Sequence, residues 1–233
     1  MLKVKLPLLP IGWKWPLSVV GALMYVGTYS FLGWFHWREA SLLPLTPLDQ
    51  EVPFLPWSIV IYLSDYLFIL LLVHHLDSSE RLSRASYALG LGAILTFAVF
   101  ILFPTVFPRE LRSMDPLWLP FFQLLYGIDS PSNCFPSLHV SMTLLGVGFF
   151  QTRTRIGSWG MRIWAFAICV STLTTKQHYA IDVLGGLMIA GLVWNASKHW
   201  DYVDWLKRSA DDVRGQAPLD EQQGGGPSSR TAS

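Results

Sequence analysis

The chain has little charge and almost no cysteine. Only 14% of its 233 residues are Asp, Glu, Lys or Arg, against roughly 25% in a soluble domain. That deficit argues against a water-soluble fold and is what a membrane protein shows. The net charge is only +1, so total charge gives no argument for a nucleic-acid partner, and none is expected. The two cysteines, Cys134 and Cys169, form no CxxC pair and leave no disulfide framework. There is no HExxH zinc motif and no GxSxG nucleophile elbow. No repeat of fixed period is visible, and no inverted repeat of the kind transporters carry.

What is present is apolar. Hydrophobic residues make up 52% of the chain, and there are eleven tryptophans, a residue suited to water–lipid boundaries. Apolar runs extend from about Pro16 to Phe35, Leu55 to Val73, Ala85 to Phe107, Phe135 to Phe150, Trp159 to Leu173 and His178 to Trp194. The first is too long for a cleaved signal peptide. A helical crossing takes ~20 residues, so the pattern predicts an all-α polytopic membrane protein, a six-helix bundle over residues 1–199. The polar residues 200–233 read as a disordered tail. Leu117 to Tyr126 is too short to span and reads as an interfacial or packed short helix. Gly185, Gly186 and Gly191 are small residues that allow close helix packing in the last run.

Lys and Arg divide unevenly between the two faces of such a bundle. Lys3, Lys5, Lys14, Arg81, Arg84, Arg153, Arg155, Arg162, Lys198, Lys207 and Arg208 fall on one face. Arg38, Arg109, Arg112 and Lys176 fall on the other. The positive-inside rule makes the first face cytoplasmic, with both termini, and the second extracytoplasmic.

Two stretches on the charge-poor face carry the chemistry: Asn133-Cys134-Phe135-Pro136-Ser137-Leu138-His139 and Lys176-Gln177-His178-Tyr179-Ala180-Ile181-Asp182. A chain that crosses twice between His139 and His178 returns to the same face, so the two histidines can share a site. His178 and Asp182 are spaced i, i+4, on one face of an expected helix. A carboxylate bonded to one imidazole nitrogen fixes the tautomer and leaves the other nitrogen as a nucleophile. Histidine can attack phosphorus and form a phosphohistidine. His139 then suits the general acid, and afterwards the base that activates water. Arg109 and Lys176 are candidates to hold phosphate oxygens, with Ser137 and the N–H groups that open the fourth run. No metal or cofactor is called for.

Each signal alone has a plainer explanation. A lone His-x3-Asp is more often a satisfied helix pair, and Pro-Ser-Leu-His an ordinary helix start with Ser137 as cap. Arg109 and Lys176 could be interfacial anchors. Their coincidence on one face of a charge-poor bundle favours function. Asp65, mid-run, reads as structural, and His74 and His75 as solvated residues on the opposite face. Asp129 and Asn133 read as turn residues or headgroup contacts.

These residues resemble the type 2 phosphatidic acid phosphatase (PAP2) superfamily. Its second motif, Pro-Ser-x-His, is matched by Pro136-Ser137-Leu138-His139, and the end of its third, His-x3-Asp, by His178 and Asp182. The resemblance covers roughly residues 55–195. It implies a six-helix membrane bundle, a lipid phosphate substrate, His139 as acid and His178 as nucleophile. The first motif, Lys-x6-Arg-Pro, is incomplete: Leu102 stands for the lysine, and Glu110 follows Arg109. The Ser-Arg that opens the third motif is Ser171-Thr172 here, and Lys176 can supply the lost charge. Phe-Pro-Ser-Leu-His with His-Tyr-x2-Asp looks more like the branch of inositol phosphorylceramide and sphingomyelin synthases, which pass the phosphoryl headgroup to an alcohol. The expectation is therefore a lipid phosphatase, with a lipid phosphotransferase as the alternative and a transporter as a remote third.

Overall fold

The computed structural model describes residues 3–35, 38–109, 115–150 and 154–204. Expectations about Glu110, Arg112, Arg153, Lys207, Arg208 and the tail from 205 onward lie outside these residues. The helices are α1 (Lys14–Trp34), α2 (Pro47–Glu51), α3 (Ile59–Leu63), α4 (Asp65–His75), α5 (Ser79–Leu102), α6 (Leu119–Ile128), α7 (Leu138–Phe149), α8 (Arg155–Thr174) and α9 (Ala180–Ser197). Two parallel strand pairs join loops: β1 (Val4–Pro7) with β4 (Trp200–Val203), and β2 (Ser41–Leu42) with β3 (Thr105–Val106). β4 thus occupies the start of the segment assigned to the tail.

Among the described residues, five helical spans are long and apolar enough to cross a membrane: 11–34, 56–75, 79–102, 155–174 and 180–197. The second is a turn, α3 and α4 in series, broken at Ser64, whose hydroxyl donates to the Ile61 carbonyl. Large apolar side chains stand exposed around the spans, among them Leu23, Met24, Ile94, Phe166, Leu184 and Met188. A face of this kind suits lipid and not water. The protein is an integral membrane protein.

The count of six full crossings is not reproduced. The fourth run forms α7, which has 12 residues and is about 18 Å long at 1.5 Å per residue, well short of a hydrocarbon core of ~30 Å. The cause is its entry. Asn133 takes φ 64°, Pro136 has no N–H to give, and the helix begins only after Ser137. Non-helical backbone is tolerated at membrane depth only where protein satisfies it. Here the Phe135 N–H donates to Thr105 Oγ1 at 2.8 Å, and the Ser137 N–H to the Asp182 carbonyl at 2.9 Å.

α7 is nevertheless the middle of the bundle. Leu138, Met142, Leu145 and Phe149 pack with Leu82, Ala85 and Ala88 of α5 and Ala190 and Val193 of α9. Phe68 of α4 packs with Met161, Ala165 and Ile168 of α8. α6, the short helix expected from its length, buries Phe122 and Leu125 against Ile59 and Tyr62 of α3.

The connections gather at two ends. At one, Arg109 and Ser130 reach 129–130 and the end of α1, Leu55 N–H donates to the Thr174 carbonyl, and Phe107 N–H to the Pro131 carbonyl. This end holds the entries to α7 and α9. At the other, Lys14 Nζ donates to the carbonyls of His74 and Leu76, and Leu9 N–H to Ser83 Oγ. His74 and His75 close α4 there, exposed and within its last turn. Asp65 accepts from Thr143 at 2.7 Å, a contact inside the bundle.

Candidate active site

His178 stands just ahead of α9, not within it. The helix opens at Ala180, with Tyr179 as its N-cap. The expected helical i, i+4 pair is therefore corrected to a capping arrangement. Asp182, at the third helical position, accepts the Tyr179 N–H through Oδ2 at 2.9 Å. The same oxygen lies 3.3 Å from His178 Nδ1, and the Cys134 carbonyl lies 3.1 Å from it. Both neighbours of Nδ1 are acceptors, so Nδ1 carries the hydrogen and Nε2 the lone pair. This tautomer is assigned from the hydrogen-bond pattern. Asp182 is fully buried, and the α9 N-terminus favours negative charge at this position. Its Oδ1 has no hydrogen-bond partner among the described residues.

His139 is the second residue of α7. Its ring centroid lies 6.1 Å from that of His178, at 63°. The structure thus brings the two histidines together although 39 positions separate their numbers. His139 also meets Tyr62 of α3, with centroids 4.4 Å apart and the phenol oxygen 3.4 Å from Nδ1, a long contact.

Ser137 caps α7: its Oγ accepts the Val140 N–H at 3.4 Å, and the residue is fully buried. Its hydroxyl hydrogen remains a donor in principle, but the group faces the protein. Close packing of α7 on α9 depends on glycine here. A Cβ on Gly186 would lie 2.6 Å from the Ser137 carbonyl oxygen, and one on Gly185 would lie 2.8 Å from Phe135 and Pro136 side-chain atoms. Gly191 has nothing within 4 Å, so it plays no such part.

The two cations are held by protein oxygens. Lys176, with φ 54°, donates Nζ to the carbonyls of Asp49 at 2.7 Å and Val52 at 2.5 Å. Arg109 pairs with Asp129 at 2.8 Å, donates to the carbonyls of Asp129 and Ser130, and lies over the Tyr126 ring. Burial pushes the Asp129 carboxyl up; the Arg109 charge and the Tyr29 hydroxyl pull it back only in part.

Two depressions meet at Lys176 and Phe107. One is lined by Asp49, Val52, Phe107, Leu173, Lys176 and His178. The other is lined by Phe54, Phe107, Pro108, Arg109, Tyr126, Thr175 and Lys176. His178 and Lys176 therefore share an opening, while Arg109 lies in the adjoining one.

Three groups at the site are absent from the sequence reading. Tyr62 is one, since nothing local marks an aromatic that will meet a histidine far along the chain. The Cys134 carbonyl is another. Burial pushes the Cys134 thiol up, so it is no thiolate nucleophile. Asp49 is the third. Thr46-Pro47-Leu48-Asp49 carries the spacing of a capping box, and Thr46 and Asp49 form one. Burial pushes the Asp49 carboxyl up, but hydrogen bonds from Thr46 and Ala180 and the Lys176 charge outweigh it and leave it below the ordinary carboxylate range.

A family model described as the PAP2 superfamily matches residues 57–196, from the turn before α3 to the end of α9. No curated protein matches the chain. The family match takes in His139, His178 and Asp182 and covers more than half of the sequence. The chain belongs to the PAP2 superfamily.

Proposed function

We propose that the protein is an integral membrane lipid phosphatase that hydrolyses a lipid phosphate or diphosphate ester through a phosphohistidine on His178. Superfamily membership supports phosphatase or phosphotransferase chemistry in general. The observation that carries the specific reading is His178 Nδ1 held between Asp182 and the Cys134 carbonyl. It leaves the Nε2 lone pair available beside a second histidine.

The steps balance as follows. His178 Nε2 attacks phosphorus, and the P–O bond to the lipid breaks. Protonated His139 gives its proton to the leaving oxygen, so a lipid alcohol (or lipid monophosphate) departs. Neutral His139 then takes a proton from water, whose oxygen attacks phosphorus as the P–N bond breaks. Inorganic phosphate leaves, and His139 is protonated again. Lys176, in the His178 opening, and Arg109, in the adjoining one, are proposed to face the equatorial oxygens, while Ser137, buried and capping α7, holds the helix start that carries His139. No metal, cofactor or nucleic acid enters this scheme. Lys5, Lys14, Arg81, Arg84, Arg155 and Lys198 lie toward the opposite end, which supports a cytoplasmic location for that end and for both termini, with the site extracytoplasmic.

The Asp182→Asn variant tests the role of the carboxylate. An amide oxygen in the same place can still accept from Nδ1–H but carries no charge to stabilise the cationic phosphoimidazole as it forms, so the rate falls by about 10²- to 10³-fold while KM stays near wild type. A wild-type rate in steady-state assays contradicts the role.

The second depression favours one other reading. It adjoins the His178 opening at Phe107 and Lys176, and an acceptor alcohol that entered there would approach the phosphorylated histidine, as transfer to an alcohol requires. The purified protein, with chelator, is incubated with labelled phosphatidate, with isoprenyl diphosphate, and with phosphatidylinositol plus ceramide. The expected result is free phosphate from one of the first two. A new phosphorylated sphingolipid without free phosphate moves the protein to the inositol phosphorylceramide synthase-like branch. Ion or solute flux with no turnover overturns both.

A further inference from the structure

We propose that Asp49 is a positioning residue that fixes His178 in its attacking orientation. The proposal rests on the reading of His178 as the nucleophile. Asp49 belongs to α2, in the loop between the first two spans, and is only 8% exposed. Its carboxylate is fully engaged. Oδ2 accepts the Thr46 N–H at 2.8 Å and the Thr46 hydroxyl at 2.6 Å. Oδ1 accepts the Ala180 N–H at 2.6 Å, across 131 residues of sequence. Ala180 is the first residue of α9, so its N–H is one of those a helix cannot satisfy for itself.

The backbone of the same short helix takes the other side of the segment. The Asp49 and Val52 carbonyls hold Lys176 Nζ, and Lys176 sits in the left-handed region that a long side chain rarely adopts. α2 therefore grips positions 176 and 180, and His178 lies midway between them. Asp49, Val52, Lys176 and His178 line one opening. An asparagine cannot reproduce the grip. Its amide has one acceptor and one donor end, so either Ala180 or Thr46 would face an NH2 group with its own N–H. Asp49 also lies outside the residues matched by the family.

The test uses the full chain in detergent, with Asp49→Asn, Thr46→Val, His178→Ala and, as a control for loss of a helix cap elsewhere, Ser78→Ala. Two quantities are read: kcat and KM on a hydrolysed lipid phosphate, and the rate at which diethyl pyrocarbonate modifies His178, followed by mass spectrometry of its peptide. Asp49→Asn is expected to lower kcat at least about tenfold with little change in KM, and to speed His178 modification about threefold. Thr46→Val keeps the carboxylate and shifts both in the same sense by less, and it stands in if Asp49→Asn does not fold. Ser78→Ala leaves both unchanged. Wild-type kcat and His178 reactivity in Asp49→Asn overturn the proposal, as does an equal fall in Ser78→Ala. Turnover retained in His178→Ala overturns the functional reading instead, while the modification rate still reports whether Asp49 holds His178.

Discussion

Replacing His178 by alanine abolishes turnover and leaves a folded protein. Every phosphoryl group passes through Nε2 in the proposed scheme, so no other side chain can take over the first step. For a group of this kind the expected loss is roughly four to six orders of magnitude in kcat. The fold survives because the backbone there is held independently. The Gln177 and His178 N–H groups both reach the Thr172 carbonyl, and Asp182 keeps the Tyr179 N–H. The variant leaves the buried Asp182 carboxylate and the Cys134 carbonyl each one donor short, a cost of about 1–3 kcal/mol. Steady-state release of phosphate, read beside a thermal melt, checks both halves. Near-full activity in a folded variant would mean that the nucleophile lies elsewhere.

Gly186→Ala has the second largest effect, although residue 186 touches no substrate in the scheme. The new methyl would stand 2.6 Å from the Ser137 carbonyl oxygen and 2.9 Å from the Val140 Cβ. The first neighbour is backbone and cannot turn aside, so α7 and α9 must part. The Ser137 N–H bond to the Asp182 carbonyl joins the same two helix starts, and each start carries or precedes one of the two histidines proposed to act in catalysis. Overpacking of this kind costs about 1–3 kcal/mol, and a displacement of ~1 Å between reacting groups costs on the order of 10²-fold in rate. Both kcat and Tm should fall. Gly191→Ala, on the same helix with nothing within 4 Å, should change neither. Equal behaviour of the two variants would refute the close-approach argument.

The apolar runs were legible because lipid solvation imposes composition directly on the chain. Hydropathy does not report backbone conformation, however. Phe135 and Pro136 are as apolar as a helix would need, yet they enter α7 as a non-helical bend, and the expected crossing shrinks to 12 residues. The same limit misplaced His178. Its spacing to Asp182 suits a helix, but Asp182 serves better as a cap for the Tyr179 N–H, so the helix begins after the histidine. The meeting of His139 and His178 followed from counting crossings, which needs only an even number of passages. Asp49 and Tyr62 were not found because their partners, Ala180 and His139, lie far along the chain. The sequence marks Arg109 as a candidate phosphate ligand. Its ion pair with Asp129, each side chain little exposed at 13% and 12%, was not foreseen, since a turn acid carries no local mark of such a pairing.

The most direct measurement is to quench the working enzyme with phosphorus-labelled lipid substrate and locate the label on the protein. The account predicts a label stable to base and labile to acid, as a phosphoramidate is, on the peptide that carries His178. It should be absent from His178→Ala. Label on another residue, or rapid turnover with no labelled protein at any quench time, would contradict it.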